Sequence, residues 1–404
     1  MTDTPFYPLA HDNWGKEEMQ GLARVLARGR YTMGEEVKAF EDAFARQVGA
    51  RHAVMVNSGS SANLLTIGAL VETGRLKRGD EVLVPAVSWS TTYFPLHQYG
   101  LRIVFCDVDP ATFNIDPAKI AARITPRTRA LLAVNLLGNP CDFAALSDIC
   151  AAHGLILIED NCESFGARWG LRDCGTMGVA GTFSTFFSHH LNTVEGGLIV
   201  TDDDDLHEVL RSMRAHGWVR DLPVGSKLYR RGTDRYAAAF EDSFKFVMPG
   251  YCLRPMDMAG AFGLAQLGRW PAENEQRQDN ARHFIDLFGN LSWCSIQRVS
   301  EPIARSSWFG FGIVLAAGIP RRSVVEALLE TGVECRPIVA GNFTRQPVCA
   351  RLDCDIPADL SGADILDRQG FFIGNDGRRL APLLCRVRDI IKTTIRSLEI
   401  VNAA

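Results

Sequence analysis

Leu155-Ile156-Leu157-Ile158-Glu159-Asp160-Asn161-Cys162-Glu163 is a short apolar run that stops on acids. Aliphatic residues nearly throughout, followed by turn-forming ones, read as a strand covered on both faces. Similar runs recur at 81–87, 102–109, 130–137, 181–187 and 197–201, separated by stretches with helical spacing. This alternation predicts an α/β fold built on a mostly parallel sheet. An open sheet of that kind places its ligands at the carboxyl ends of its strands. Asp160 stands at such an end.

Outward from this sheet, a helix is expected over 60–70, and a long one after Pro255 that reaches Arg282 with a kink or break at Pro271. Beyond it, 308–315 reads as a strand, 323–331 as a helix and 332–339 as another strand, which predicts a smaller α/β domain at the C-terminus. The division is expected at 265/266, with the long helix as connector. Residues 219–246 are polar, rich in arginine and glycine and aperiodic, so a long functional loop is expected there. Asp202 to Asp205 follow a strand and are expected to cap the next helix.

At 404 residues, with 47% hydrophobic and 22% charged residues and a net charge of −4, the chain has enough apolar material for one large and one smaller domain. The mild charge, without long single-sign runs, points away from nucleic acid as a partner. No apolar run reaches the ~18 residues that span a bilayer, and 1–15 lack a basic segment followed by an apolar one, so a cytoplasmic protein without a membrane partner is expected. The 11 cysteines contain no CxxC or CxC pair, so no metal site is expected from spacing.

Three strand ends carry residue types with a chemical use. Asn57-Ser58-Gly59-Ser60-Ser61-Ala62 offers hydroxyls and close-approaching amides at a helix N-terminus, which suits either a phosphate site or an ordinary serine cap. Trp89, after Val87-Ser88, is either a stacking surface for a flat ring or a packed core indole. Asp160 either keeps a heteroaromatic nitrogen protonated or caps a turn. A fourth stretch, Ser184-Thr185-Phe186-Phe187-Ser188-His189-His190, leads to Glu195-Gly196-Gly197.

Together these stretches resemble the fold type I pyridoxal phosphate enzymes, specifically the sugar-nucleotide aminotransferase and dehydratase family. The likeness spans nearly the whole chain, through 29–34, 57–62, 85–89, 109–115, 159–166, 183–197 and 332–342. It implies an aspartate-aminotransferase-like, three-layer large domain within 1–265 and a small α/β domain within 266–404. It further implies a cofactor pocket: Ser60 and Ser184 on the phosphate, within a binding stretch that includes Asn57, Ser58 and Gly59; Trp89 stacked on the ring; Asp160 on its nitrogen; and Glu163 near its phenolic oxygen or a water network. Arg30, Tyr31, His216, Arg220, Phe244, Glu334 and Arg336 are the implied substrate contacts, with Phe244 crossing the interface of a homodimer that shares its active sites. Family members usually show Gly-Tyr-Asn where this chain has Gly250-Tyr251-Cys252. Their asparagine reaches the neighbouring subunit's cofactor phosphate, and a thiol at Cys252 is a poorer donor.

The main departure is His189, which occupies the position of the family's Schiff-base lysine. Lysine tethers an aldehyde cofactor and then moves protons, whereas imidazole near neutral pH does only the second. Histidine at this position marks the pyridoxamine-phosphate-dependent sugar 3-dehydratases, which hold pyridoxamine or pyridoxal 5′-phosphate non-covalently. One branch carries an iron–sulfur cluster on cysteines that include a CxC after the catalytic histidine. No cysteine lies between Gly217 and Tyr251, so no cluster is expected. The implied reaction is loss of the C3 hydroxyl from a nucleotide-linked 4-keto-6-deoxyhexose, GDP-linked by likeness. His189 is the implied base at the cofactor's C4′ and the candidate acid at the leaving oxygen, and glutamate the implied amino donor that regenerates the cofactor. His190 is expected only to shape the turn or orient its neighbour. Two alternatives stay open: a relative that binds vitamin B6 compounds or a sugar nucleotide without turnover, and an aminotransferase using another lysine, such as Lys227 or Lys245.

Overall fold

A computed structural model describes residues 5–403 except 12, 224, 230–235 and 237–239. Its centre is an eight-stranded sheet. In chain order the strands are β1 (His52–Val56), β2 (Glu81–Pro85), β3 (Arg102–Cys106), β4 (Thr128–Val134), β5 (Ile156–Asp160), β6 (Ala180–Ser184) and β7 (Gly197–Thr201), with a late strand described below. Across the sheet β1 pairs with β7, then come β6, β5, β4, β2 and β3. Only β7 runs antiparallel to its neighbours, so the sheet is mostly parallel.

Both faces are covered, as the apolar strands require. Helices α1 (Lys16–Arg28) and α2 (Glu35–Val48) precede β1; Val82 and Val84 of β2 join Leu65 and Leu70 of α3 (Gly59–Glu72) and Leu96 of α4 (Ser90–Gln98). Leu83 points the other way, into a cluster with Phe143 and Leu146 of the helix Phe143–His153. Alternate side chains of one strand therefore serve two cores. At the β1–β7 edge, Phe40 and Phe44 pack with Phe165, Phe183 and Trp270. The Phe44 ring lies 5.1 Å from both Phe165 (stacked) and Phe183 (edge-on).

A 32-residue helix, Asp257–Phe288, joins this unit to the C-terminal part. It continues through Pro271, so the break expected there does not occur. Proline removes one backbone hydrogen bond, but buried Trp270 and Arg277 anchor the helix on either side of it. Positions 265/266 lie inside this helix. Its far end, Phe284 and Phe288, packs on a four-stranded antiparallel sheet of Cys294–Ile296, Gly310–Leu315, Gly370–Gly374 and Cys335–Arg336, in that spatial order.

Two expectations need correction. The strand read over 332–339 is only the pair Cys335–Arg336, because Pro337 has no amide to continue a ladder and Val339 adopts a left-handed φ of 51°. The late strand Cys354–Asp355, which the sequence did not suggest, returns to the large sheet beside β3. Elsewhere the helix after β7, Asp204–Arg214, begins on Asp203, whose carboxylate accepts from the Leu206 amide. The expected 219–246 loop holds two short 3-10 turns, Val219–Asp221 and Asp242–Phe244; its positions 224, 230–235 and 237–239 lie outside the described residues. Among the described residues no helix is long and apolar enough to cross a membrane.

One ion pair secures the strand that feeds the site. Arg214, 3% exposed, meets Glu41 at 2.5 Å and donates to the Met55 carbonyl at 2.7 Å, while Glu41 accepts from the Met55 amide. It thus ties two helices to the end of β1. Removing one partner of a buried pair leaves the other charge uncompensated. Glu41→Ala is therefore expected to lower stability by about 3–5 kcal/mol in urea unfolding, and a loss below ~1 kcal/mol, the range of exposed pairs, would contradict this account.

Candidate active site

The ends of β1, β2, β5 and β6 converge on one cavity of about 330 Å³. Asp160, the last residue of β5 and 5% exposed, lies on its wall. Its Oδ2 accepts from Asn63 Nδ2 and Thr92 Oγ1, each at 2.8 Å, and its Oδ1 from the Cys162 amide at 3.1 Å. Asn63 is fixed in turn, because its Oδ1 accepts from Thr182 Oγ1 at 2.6 Å. Every one of these neighbours donates to Asp160, so the carboxylate has a single orientation.

The N-terminus of α3 forms another wall. Ser58 caps it, accepting from the Ser61 amide at 3.0 Å, which leaves other first-turn amides free for an anion. Gly59 is needed here because a β-carbon would lie 2.6 Å from the Ser184 Cβ and 3.0 Å from the Cys162 sulfur. Ser60 is exposed and donates to Thr91 Oγ1, and the Ser184 hydroxyl accepts from the Phe186 amide. Trp89, at the start of α4, is 58% exposed, which rules out the packed-core reading of that indole.

His189 stands on the same wall set, between Phe186 and Phe309, whose ring centres lie 5.9 and 5.1 Å away. Its Nδ1 is sealed from solvent and has no hydrogen-bond partner among the described residues. Burial, helped by Arg277 and Arg336, pushes its pKa down to about 4, so the imidazole is neutral and basic at pH 7. Glu163 shifts the other way. Burial raises its carboxyl to about 7, aided by Asp160 and opposed by the Leu137 amide, which donates to it at 3.0 Å. His190 is buried against Trp270, with Nε2 3.2 Å from the Ser307 carbonyl, and does not line the cavity.

Of the residues singled out from sequence, Ser58, Gly59, Ser60, Trp89, Asp160, Glu163, Ser184, His189 and Arg336 line this cavity. The others lie outside it in the single chain. Asn57 is exposed, and its amide donates to the Leu253 carbonyl. Cys252 is exposed, bridged to Ala215, with Arg254 Nη2 3.5 Å from its sulfur. His216 packs edge-on against Trp218, and the Arg220 guanidinium lies 3.6 Å from the centre of that indole. Arg30 donates to the Met33 carbonyl, Tyr31 and Phe244 are 50% and 70% exposed, and Glu334 accepts from the Leu9 amide. Neither Lys227 nor Lys245 lines the cavity, and among the described residues no lysine does. Lys227 is held by Asp205 and Lys245 by Asp242 and Tyr229. No group of three His, Cys, Asp or Glu side chains among the described residues is placed to hold a metal ion.

Sequence reading missed Asn63, Thr92, Phe309 and Phe372. Asn63 and Thr92 had a usable signal, since each follows the strand-end residue by about one helical turn. The two phenylalanines, from a distant part of the chain, had none.

The chain is similar to known proteins over most of its length. The model of the DegT/DnrJ/EryC1/StrS aminotransferase family matches residues 12–374. A GDP-4-keto-6-deoxy-D-mannose 3-dehydratase from Yersinia pseudotuberculosis is 46% identical over 391 residues, covering 96% of this chain and 98% of that one. A crystal structure of GDP-4-keto-6-deoxymannose-3-dehydratase with a trapped PLP-glutamate geminal diamine superposes with a TM-score of 0.92 at 44% identity, over 95% of this chain and all of the other. A histidine-to-asparagine mutant of the same kind of enzyme with bound GDP-perosamine gives 0.91 at 44% identity, over 95% and 100%. The chain belongs to the DegT/DnrJ/EryC1/StrS aminotransferase family.

Proposed function

We propose that the protein is a pyridoxamine-phosphate-dependent dehydratase that removes the C3 hydroxyl of a nucleotide-linked 4-keto-6-deoxyhexose, with GDP-4-keto-6-deoxy-D-mannose as its substrate. The observation that carries this reading is His189 on a cavity wall that, among the described residues, has no lysine but retains the clamped Asp160. That combination suits a cofactor bound without a covalent tether and still used for chemistry. A binding protein without turnover has no need of the second feature, and an aminotransferase needs a lysine in reach.

The residues fit the group. Gly59 lets the α3 amides approach a phosphate, with Ser58, Ser60 and Ser184 as hydroxyl partners; Trp89 offers an open face to a flat ring; and Asp160 can hold a proton on a ring nitrogen. When bound, pyridoxamine phosphate supplies a primary amine and a ring that draws electrons from the adjoining carbon. His189, neutral at pH 7, would take a proton from the carbon bearing the amine when that group is bound and would deliver one to the departing C3 oxygen. Phe186, Phe309 and Phe372 limit water around that imidazole. Glu163, with its raised pKa, is able to carry a proton at neutral pH on the same cavity wall. Glutamate is the proposed amino donor for regenerating the cofactor.

The active unit is proposed to be a homodimer. Phe244, Phe246 and Met256, at 70%, 58% and 58% exposure, together with Cys252, Arg220 and His216, are the residues that would complete the partner's site.

Turnover is tested by incubating the protein, pyridoxal phosphate and glutamate with a panel of 4-keto-6-deoxy sugar nucleotides. Release of ammonia and mass loss of one water from the sugar are expected, and neither appearing with any member would overturn the reading. His189→Lys is expected to abolish dehydration while gaining a borohydride-fixable cofactor adduct that the parent lacks; undiminished 3-deoxy product would remove His189 from the mechanism. The base must be unprotonated to act, and its pKa is depressed. The glutamate half-reaction should therefore hold its rate from pH 7 to 5 and fall only towards pH 4, whereas an ordinary imidazole would lose activity below about 6.5.

A further inference from the structure

At the start of β1, the opposite end of that strand from the active site, a separate cavity of about 190 Å³ lies between α2 and the helix Asp204–Arg214. Among the described residues it shares none with the active-site cavity. Lys38 and Arg46 of α2, Arg51 just before β1 and Arg211 of the later helix bring four cations to its walls, against the two carboxylates of Glu41 and Asp42. We propose that this hollow binds a phosphate-type oxyanion, at a site apart from the chemistry and independent of the dehydratase reading.

The acids of the wall are already engaged. Glu41 is held by buried Arg214 and by the Met55 amide, and Asp42 by Lys38 one turn away. Arg46 and Arg211, by contrast, have neither a hydrogen bond nor an ion pair among the described residues. The Arg51 guanidinium meets only Asp204, an exposed carboxylate at 3.3 Å, and exposed pairs of that kind contribute little and open readily. Three guanidiniums can therefore turn to an oxyanion, whose oxygens match their paired N–H groups. The whole chain carries −4, so the excess of positive charge belongs to this hollow and not to the protein's surface in general.

Two stacked histidines form the remaining polar wall. The rings of His52 and His207 lie 4.0 Å apart and within 5° of parallel, and His52 Nε2 is 2.6 Å from Asp204 Oδ1. Burial, aided by His52, Arg211, Arg214 and Lys38, pushes the His207 pKa down to about 3. The charges of both helices thus converge on one point, and a concave wall focuses such a field on an anion. A cation is disfavoured there, and among the described residues no group of three His, Cys, Asp or Glu side chains is placed to hold a metal ion. The volume lies below the roughly 300–1,000 Å³ of pockets that enclose drug-sized ligands, which favours phosphate or diphosphate over a whole nucleotide. Glu41 both lines the cavity and holds the Met55 amide, so an occupied site would stiffen the anchor of β1.

The test is calorimetric titration of inorganic phosphate, pyrophosphate and GDP into the cofactor-loaded protein, with ionic strength held constant by chloride so that screening is fixed. The parent is compared with the double variant Arg46→Ala, Arg211→Ala and with Arg322→Ala, a control that removes an 88% exposed arginine from the small domain. The parent and the control are expected to bind one phosphate or pyrophosphate per chain, and the double variant about tenfold more weakly, the scale of losing charge-assisted hydrogen bonds. Histidine NMR gives a local readout. Phosphate should move the imidazole resonances of His207, identified by their loss in His207→Gln, in the parent and not in the double variant. Unmoved His207 resonances in the parent at saturating phosphate overturn the site, whether or not the double variant folds. So do parental affinity in the double variant, equal weakening in the control, an effect that chloride reproduces, or binding of GDP with neither phosphate nor pyrophosphate bound. Each of these results leaves the dehydratase reading to its own test on sugar nucleotides.

Discussion

The site depends on a buried carboxylate that must be hydrogen-bonded. Asp160 stands at the end of a central strand, where an unpartnered acid would be expensive to desolvate. Its partners come from three places: Asn63 inside α3, Thr92 inside α4 and the backbone of the turn at Cys162. Hydrogen bonds to a charged group contribute about 1.5–3 kcal/mol each. Satisfying one acid therefore fixes how two helices approach the sheet. That approach brings the α3 N-terminus to Ser184 and sets the Trp89 indole at the cavity's edge.

Around this anchor the cavity separates two ionisable groups by their surroundings. The same burial that lowers His189 to about 4 lifts Glu163 to about 7, because desolvation disfavours a cation in one case and an anion in the other. At neutral pH the histidine is an empty base and the glutamic acid is partly charged with a proton. Neighbouring guanidiniums strengthen the first effect, and Asp160 strengthens the second. A site that moves protons needs groups held apart in this way.

The small domain contributes more than a lid. Phe309 and Phe372 close one side of the cavity, and the Asp257–Phe288 helix holds them in register with the large sheet by packing on both. Arg336 reaches the same cavity from the border strand.

Much of this was legible in the residues themselves. Apolar runs of five to eight residues, such as those at 155–160 and 181–187, announced a covered, mostly parallel sheet, because strand periodicity and strand-end turns are local properties. His189, Asp160, Trp89 and the Ser58–Ser60 stretch could be placed at strand ends for the same reason. What the chain could not disclose were contacts between distant segments: Phe309 beside His189, and the strand Cys354–Asp355 returning to the large sheet. These follow from burial and hydrogen-bond satisfaction across the folded molecule. The protonation behaviour of His189 and Glu163 belongs to the same class, since a side chain's local sequence sets its chemistry but only the surrounding dielectric and charges set its pKa.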